Sequence, residues 1–256
     1  MARNIIAIGG GEIRTGQTFA IDRRFVAEVD VAVPKLLFIP TASNDSEEYV
    51  AAIKLVYGHR LGCTVDVLRL WSEDRWLPSI VPKLESADLI YVGGGNTKAM
   101  MEKWRELGVD RELRRLVSKG KPVAGLSAGA ICWFRVGNSD WPQYEQIPNM
   151  LTARLECLGI VDIVLCPHTR DEAFRLDEFK SMMAAEDGIG VGLDDCCAIQ
   201  IKGDEYRFLV ASDDSMAHLM FHQDGQVVHR VIEPHNDYRH LSELAKVASL
   251  DGVIRW

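Results

Sequence analysis

A serine hydroxyl becomes a useful nucleophile when a sharp turn lifts it clear of the backbone and a base stands within hydrogen-bond reach. Gly125-Leu126-Ser127-Ala128-Gly129 has the G-x-S-x-G form of such a turn, set between the apolar run Val123–Leu126 and the apolar stretch Ala128–Arg135. Ser127 is therefore the candidate nucleophile; the plainer alternative is a tight strand-to-helix turn that merely needs small residues. Among the seven histidines, His168 is placed like the serine. It follows Ile163-Val164-Leu165-Cys166-Pro167, at the carboxyl end of a strand-like run, where open α/β sheets bind their ligands. It is the candidate base. Asp195, with its neighbour Asp194, ends the run Gly190-Val191-Gly192-Leu193, and Asp140 lies in the loop Gly137-Asn138-Ser139-Asp140. Asp195 is preferred as the carboxylate that orients the imidazole, with Asp140 and Asp194 as alternatives.

An acyl-transfer site also needs N–H groups aimed at the developing oxyanion. Ala128, directly after the serine, supplies one. The second is sought in Gly93-Gly94-Gly95-Asn96-Thr97, whose glycines let the backbone approach a ligand closely and which brings Gly94, Asn96 and Thr97 near a substrate. A nucleotide phosphate loop is disfavoured there, because no Lys-Ser/Thr follows and the G-x-G-x-x-G spacing fails in this run and in Gly9-Gly10-Gly11-Glu12. If Asp224-Gly225 makes a two-residue hairpin turn, His229 faces Met220, and His218, His222 and His229 share one face. Diagonal cross-strand spacing is too wide for a good zinc site, so no metal is assigned. No cofactor is assigned either.

These residues require elements to hold them. Asn4–Gly9, Lys35–Pro40, Thr64–Leu70, Leu89–Gly93, Val123–Leu126 and Ile163–Cys166 read as strands buried on both faces. Ser46–Arg60, Thr97–Leu107, Asp110–Lys119, Ala128–Arg135 and Asp171–Ala185 read as helices between them. That alternation predicts an α/β fold of three layers, doubly wound about a mostly parallel sheet. Gly188–Leu193, Cys197–Ile201, Glu205–Val210, Met216–His222 and Gln226–Glu233 then follow as strands, giving a C-terminal antiparallel hairpin extension. Residues 1–256 form one domain, 235–256 being a C-terminal extension with a helical piece near Leu241–Ala248 that packs on the sheet edge or on a partner subunit.

With 29 Lys+Arg against 37 Asp+Glu, the net charge of −8 disfavours nucleic acid and anionic membranes as partners. No run is long enough for a secretory signal or a membrane helix, and the six cysteines show no CxxC pair. A cytoplasmic protein with reduced thiols, monomeric or homodimeric, is expected. The charge run Arg111-Glu112-Leu113-Arg114-Arg115 reads as a solvated helix face.

Six segments, in order over about residues 4 to 200, together resemble the peptidase E and cyanophycinase family of serine peptidases. They are Ile8–Glu12, Phe38–Ser43, Val92–Thr97, Gly125–Ala130, Cys166–His168 and Gly190–Asp195. The resemblance implies a flavodoxin-like layering similar to the class I glutamine amidotransferases, Ser127 as nucleophile, His168 as base, and oxyanion donors from Gly95 and Ala128. Family members differ in the acid, some placing a Glu where this chain has Asp195, others using an Asp in the loop aligned with Asp140. The family acts on peptides bearing an aspartyl group, so a small peptide substrate and a basic pocket residue are expected. Arg170 and Arg175 are candidates, although each reads first as a solvated helix residue, and Asn138-Ser139-Asp140-Trp141 falls where the family's pocket loop lies. An esterase or amidase on the same machinery, a cyanophycinase-like activity, and a non-catalytic binding protein are the rival readings. A Cys-dependent amidotransferase is disfavoured, because the elbow carries Ser and Cys132 lies five residues on.

Overall fold

The computed structural model describes residues 3–170, 172, 174–234 and 236–247. The chain opens with β1 (Asn4–Ile8), α1 (Phe19–Val26), β2 (Lys35–Ile39) and α2 (Glu47–Ile53), which continues as a π-helical stretch, Lys54–Arg60. Next come β3 (Thr64–Val67), α3 (Leu77–Ser86), β4 (Leu89–Val92), α4 (Thr97–Leu107), α5 (Val109–Ser118), β5 (Val123–Leu126) and α6 (Ala128–Ile131). Then follow β6 (Phe134–Ser139), α7 (Trp141–Tyr144), β7 (Ala153–Glu156), β8 (Val161–Cys166), α8 (Arg175–Met183) and β9 (Gly190–Leu193). The remainder is β10 (Cys197–Lys202), β11 (Glu205–Val210), β12 (Ala217–Gln223), β13 (Gln226–Ile232), β14 (Arg239–His240) and α9 (Ser242–Val247).

The α/β architecture expected from strand–helix alternation is present, but the strands divide between two mixed sheets. One runs β14-β11-β10-β1-β5-β4-β2-β3, and its five strands from β1 to β3 are parallel. The other runs β13-β12-β9-β8-β6-β7, with β6, β8 and β9 parallel and the rest antiparallel. The division begins just after Ser127. A helix was expected through Arg135, yet α6 stops at Ile131 and the chain becomes β6. Trp133 and Phe134 carbonyls accept from Gly159, Ile160 and Val161, drawing this stretch into the second sheet. Gly137 fits over the end of α6 so closely that a Cβ there would stand 1.9 Å from Ile131.

Burial on both faces explains the unbroken apolar runs. In β1, Ile5 and Ala7 join the core shared by α3 to α6 and the second sheet, while Ile6 and Ile8 enter the core under α1 and α2. β2 and β4 split their residues the same way. Each large side chain so enclosed stabilises the fold by about 1.5–3 kcal/mol.

A polar exception sits on α1. Asp22 is fully enclosed, accepting from the Thr18 hydroxyl at 2.8 Å and the Tyr57 hydroxyl at 2.7 Å, and burial pushes its carboxyl up from 3.8 to about 6 against the opposing pull of those two bonds.

The last third supplies edges to both sheets. β10 and β11 extend the first, and β12 and β13 extend the second through the turn Asp224-Gly225, at φ +50° and +77°. In the C-terminal extension, β14 pairs with β11 at the sheet edge, and Leu244 of α9 is buried; Ala248 and Asp171, ends of expected helices, lie outside the described residues.

Candidate active site

Ser127 directly follows β5 and caps α6 with φ +54° and ψ −111°, a conformation that L side chains rarely adopt. The surrounding backbone holds it there: its N–H donates to the Ile8 carbonyl at 3.0 Å, and its carbonyl accepts from Ala130 and Ile131, both at 2.9 Å. The two motif glycines are steric necessities. A Cβ on Gly125 would lie 2.2 Å from the Gly129 carbonyl oxygen, and one on Gly129 would lie 2.1 Å from that of Val92.

His168, two residues past β8, is also left-handed, at φ +55°. Its Nε2 is 3.0 Å from Ser127 Oγ and its Nδ1 is 2.6 Å from Asp195 Oδ1. An ionised carboxylate only accepts, so the proton belongs on Nδ1 and the Nε2 lone pair faces the serine hydroxyl. Asp195 occupies the short connection where the chain passes from β9 in one sheet to β10 in the other, and its carbonyl accepts from the Ser215 hydroxyl at 2.6 Å.

The alternative acids go elsewhere. Asp194 accepts from Thr169 and His218; burial pushes its carboxyl up, but those bonds and the Met216 N–H outweigh it and hold it below the usual range. Asp140 lies 3.8 Å from Arg175, and burial raises its carboxyl despite that guanidinium.

Sequence reasoning missed Gly10. A Cβ there would stand 1.8 Å from Asp195 Oδ1 and 2.4 Å from His168 Nδ1, so the backbone after β1 lies flat against the imidazole–carboxylate pair. The signal was visible as Gly9-Gly10-Gly11, but glycine runs point first to phosphate. Gly95, at φ +131°, packs on the Ala42 carbonyl, where a Cβ would come within 2.2 Å. The Gly94 N–H donates to the Tyr49 hydroxyl at 3.3 Å. Among the described residues, the N–H groups of Gly95 and Ala128 have no hydrogen-bond acceptor.

These groups open on a cleft of about 430 Å³ lined by Ser127, His168, Gly94, Gly95 and Asp140. Tyr49 and Tyr144 form walls, and Glu12, Arg14 and Glu48 stand around it, none of them expected from the sequence. Other candidates lie outside the lining. Asn96 caps α4, accepting from the Ala99 N–H at 3.1 Å, and the Thr97 side chain is buried. Trp141 carries the Lys98 ammonium 4.1 Å above its ring. Arg170 is exposed. Arg175 is not the solvated residue expected: it is 1% exposed, bonded through Nε to Glu172 at 2.7 Å and ion-paired through Nη2 with the same carboxylate at 2.5 Å.

The three hairpin histidines do not converge. His218 and His229 meet at 2.9 Å, but His222 Nε2 bonds to the Met183 and Glu186 carbonyls, and no cluster that could hold a metal occurs among the described residues. All six cysteines are unpaired and buried, and burial pushes the thiols of Cys63 and Cys157 up to about 11 and about 12, where they are inert. No helix among the described residues is long and apolar enough to cross a membrane.

A sequence model of peptidase family S51 matches residues 5–209, which include every residue of the cleft named above. The chain belongs to peptidase family S51. This S51 chain is 32% identical over 212 residues to YgaJ, an uncharacterised peptidase of Bacillus subtilis (strain 168), covering 82% of this chain and 88% of that one. It is 27% identical over 192 residues to a probable alpha-aspartyl dipeptidase of Drosophila melanogaster, covering 68% and 71%. The fold matches the crystal structure of a peptidase from an acI-B1 actinobacterium with a TM-score of 0.72 at 19% identity, over 94% of this chain and 97% of that one. Family membership makes this S51 chain a peptidase, a hydrolase of amide bonds.

Proposed function

We propose that this peptidase works through a serine acyl-enzyme and acts on small peptides bearing an aspartyl residue. The observation that carries the reading is the continuous chain Ser127 Oγ to His168 Nε2 at 3.0 Å and His168 Nδ1 to Asp195 at 2.6 Å, ending in an open cleft.

In this mechanism Ser127 Oγ attacks the scissile carbonyl carbon while its proton passes to His168 Nε2. The carbonyl π electrons move onto oxygen, and the N–H groups of Gly95 and Ala128 receive that oxyanion. Collapse breaks the C–N bond, the imidazolium gives its proton to the departing amine, and an acyl-serine remains. Water, deprotonated by the same imidazole, then releases the acid and restores the hydroxyl. Asp195 stays ionised and stabilises the imidazolium.

Three features support the substrate class. A cleft of about 430 Å³ suits a dipeptide-sized ligand. Arg175 keeps a fully buried guanidinium, ion-paired with Glu172 at 2.5 Å and 3.8 Å from the cleft-lining Asp140, a cation behind the cleft wall that suits a substrate carboxylate. One relative is named an alpha-aspartyl dipeptidase. The test compares hydrolysis of Asp-Leu and Leu-Leu by the wild type and by Ser127→Ala, with fluorophosphonate labelling of the hydroxyl. Preferential cleavage of Asp-Leu and loss of both activity and labelling in the variant are expected; full activity in Ser127→Ala removes the mechanism, and equal rates on the two dipeptides remove the specificity.

A further inference from the structure

Behind the Ser127–His168–Asp195 chain runs a second polar chain that the reaction does not use. Asp194 Oδ1 accepts from the Thr169 hydroxyl at 2.7 Å and from His218 Nε2 at 3.0 Å, and its Oδ2 accepts from the Met216 N–H at 2.9 Å. His218 continues through Nδ1 to His229 Nε2 at 2.9 Å. Because Asp194 only accepts, His218 carries its proton on Nε2, and its Nδ1 accepts from the His229 N–H. Lys180 of α8 is the other charge acting on His229. Asp194 and His218 are both buried, where a carboxylate persists only if its oxygens are satisfied, and here they are.

Two members of this second chain are each one residue from a member of the first. Thr169 follows His168, and Asp194 precedes Asp195, so the loop after β8 and the loop after β9 are bridged twice, side by side. The main chain adds a third tie, Thr169 N–H to the Leu193 carbonyl at 3.2 Å. The bridged backbone is strained: His168 and Cys196 lie at φ +55° and +63°. Such residues hold their place only where their surroundings over-determine it. There is no slack beneath, since a Cβ on Gly192 would meet Thr169 at 2.9 Å and His218 at 3.1 Å.

We propose that Asp194 and His218 are positioning residues for the peptidase reaction, which with Thr169 fix the two loops so that the His168 imidazole is held in line between Asp195 and Ser127. The inference rests on the serine-peptidase reading above. Replacing His218 leaves the Asp194 carboxylate short of a donor and free to turn, and the Thr169 end of the brace loosens with it. The His168–Asp195 bond then lengthens, and the imidazolium loses stabilisation.

The test measures kcat, KM and the pH profile of kcat/KM for His218→Leu and His218→Gln in the full chain, with rates normalised to serine labelled at saturation by a fluorophosphonate. In His218→Leu, kcat is expected to fall about tenfold or more with KM changed less than twofold, and the pH profile to differ from that of the wild type, because the imidazole–carboxylate pair no longer holds a single geometry. Gln carries an amide donor where Nε2 stood, so His218→Gln is expected to recover kcat to within about threefold. A wild-type kcat and pH profile per labelled serine in His218→Leu, even with a lowered Tm, overturns the proposal. Should His218→Leu fail to fold, Thr169→Val, which removes only the hydroxyl from a residue of equal volume, carries the same expectations and the same refutation. If Ser127→Ala remains active, the serine-peptidase reading itself has failed; an inactive Ser127→Ala beside an unaltered His218→Leu refutes the brace alone.

Discussion

Ser127 and His168 meet at 3.0 Å although both are held in left-handed backbone, at φ +54° and +55°. Each such residue costs about 1–3 kcal/mol, and two of them in one hydrogen bond mark a place where the fold has been bent to present side chains. The third participant has ordinary chemistry but a narrow seat. Asp195→Asn puts an amide in place of an acceptor and favours the wrong imidazole tautomer, so kcat is expected to fall by about 10³–10⁴. Pre-steady-state kinetics should show the loss in acylation; a decrease of less than about tenfold would mean that Asp195 does not orient His168.

Gly10 has no side chain to offer, yet its replacement should be severe. A methyl group 1.8 Å from Asp195 Oδ1 must push either the loop after β1 or the imidazole–carboxylate pair aside. Gly10→Ala is expected to lower kcat by at least about 100-fold, with fluorophosphonate labelling slowed in proportion. Normal labelling would show that the strand end yields instead.

Arg175 gives the specificity test its sharpest form. Lysine keeps the charge but loses the planar fork. In Arg175→Lys, kcat/KM for Asp-Leu is expected to drop about 10–100-fold while that for an uncharged dipeptide changes little. A uniform decrease on both substrates would assign Arg175 to the architecture alone.

Asp22 predicts a pH effect on stability apart from the active site. Its carboxyl has a pKa of about 6 in the folded chain and 3.8 when unfolded, so the folded state binds the proton more tightly between those values. Stability from this group is complete below about pH 4 and is lost as pH rises through 6. At 1.36 kcal/mol for each tenfold change in proton affinity, the loss is about 3 kcal/mol. In urea titrations from pH 4 to 7, the wild type should lose most of that amount of unfolding free energy relative to Asp22→Asn; parallel pH dependences would contradict it.

The site was more legible in the sequence than the sheet arrangement. Ser127, His168 and Asp195 each end a run of apolar residues, and the carboxyl ends of strands are where such folds do their chemistry. Nothing local says which sheet a buried strand joins. β5 and the Ile163–Cys166 part of β8 have the same fully apolar character, and only long-range pairing sends one to the first sheet and the other to the second. Phe134–Ser139 was read partly as helix because Ala128–Ile131 begins one, and its strand register comes from partners in β7 and β8 that no local pattern reveals. Tyr49 and Arg14 were invisible for a related reason: each lies in a stretch with an adequate structural role, and only the folded cleft brings them near Ser127. Arg175 was misjudged because a single charge on a helix is normally solvated, and nothing in its own stretch says that it is buried beside Glu172 and Asp140.

The serine comes from one sheet, the imidazole from the other, and the aspartate from the crossing between them. A chain still emerging from the ribosome with β1 to β7 complete carries the hydroxyl but nothing to ionise it. On the proposed serine mechanism, cutting power arrives late and all at once, when β8 and β9 are clamped in place. A half-built or partly melted copy then lacks the means to cut its neighbours, a useful safeguard in an enzyme whose raw material is the bond that every protein is made of.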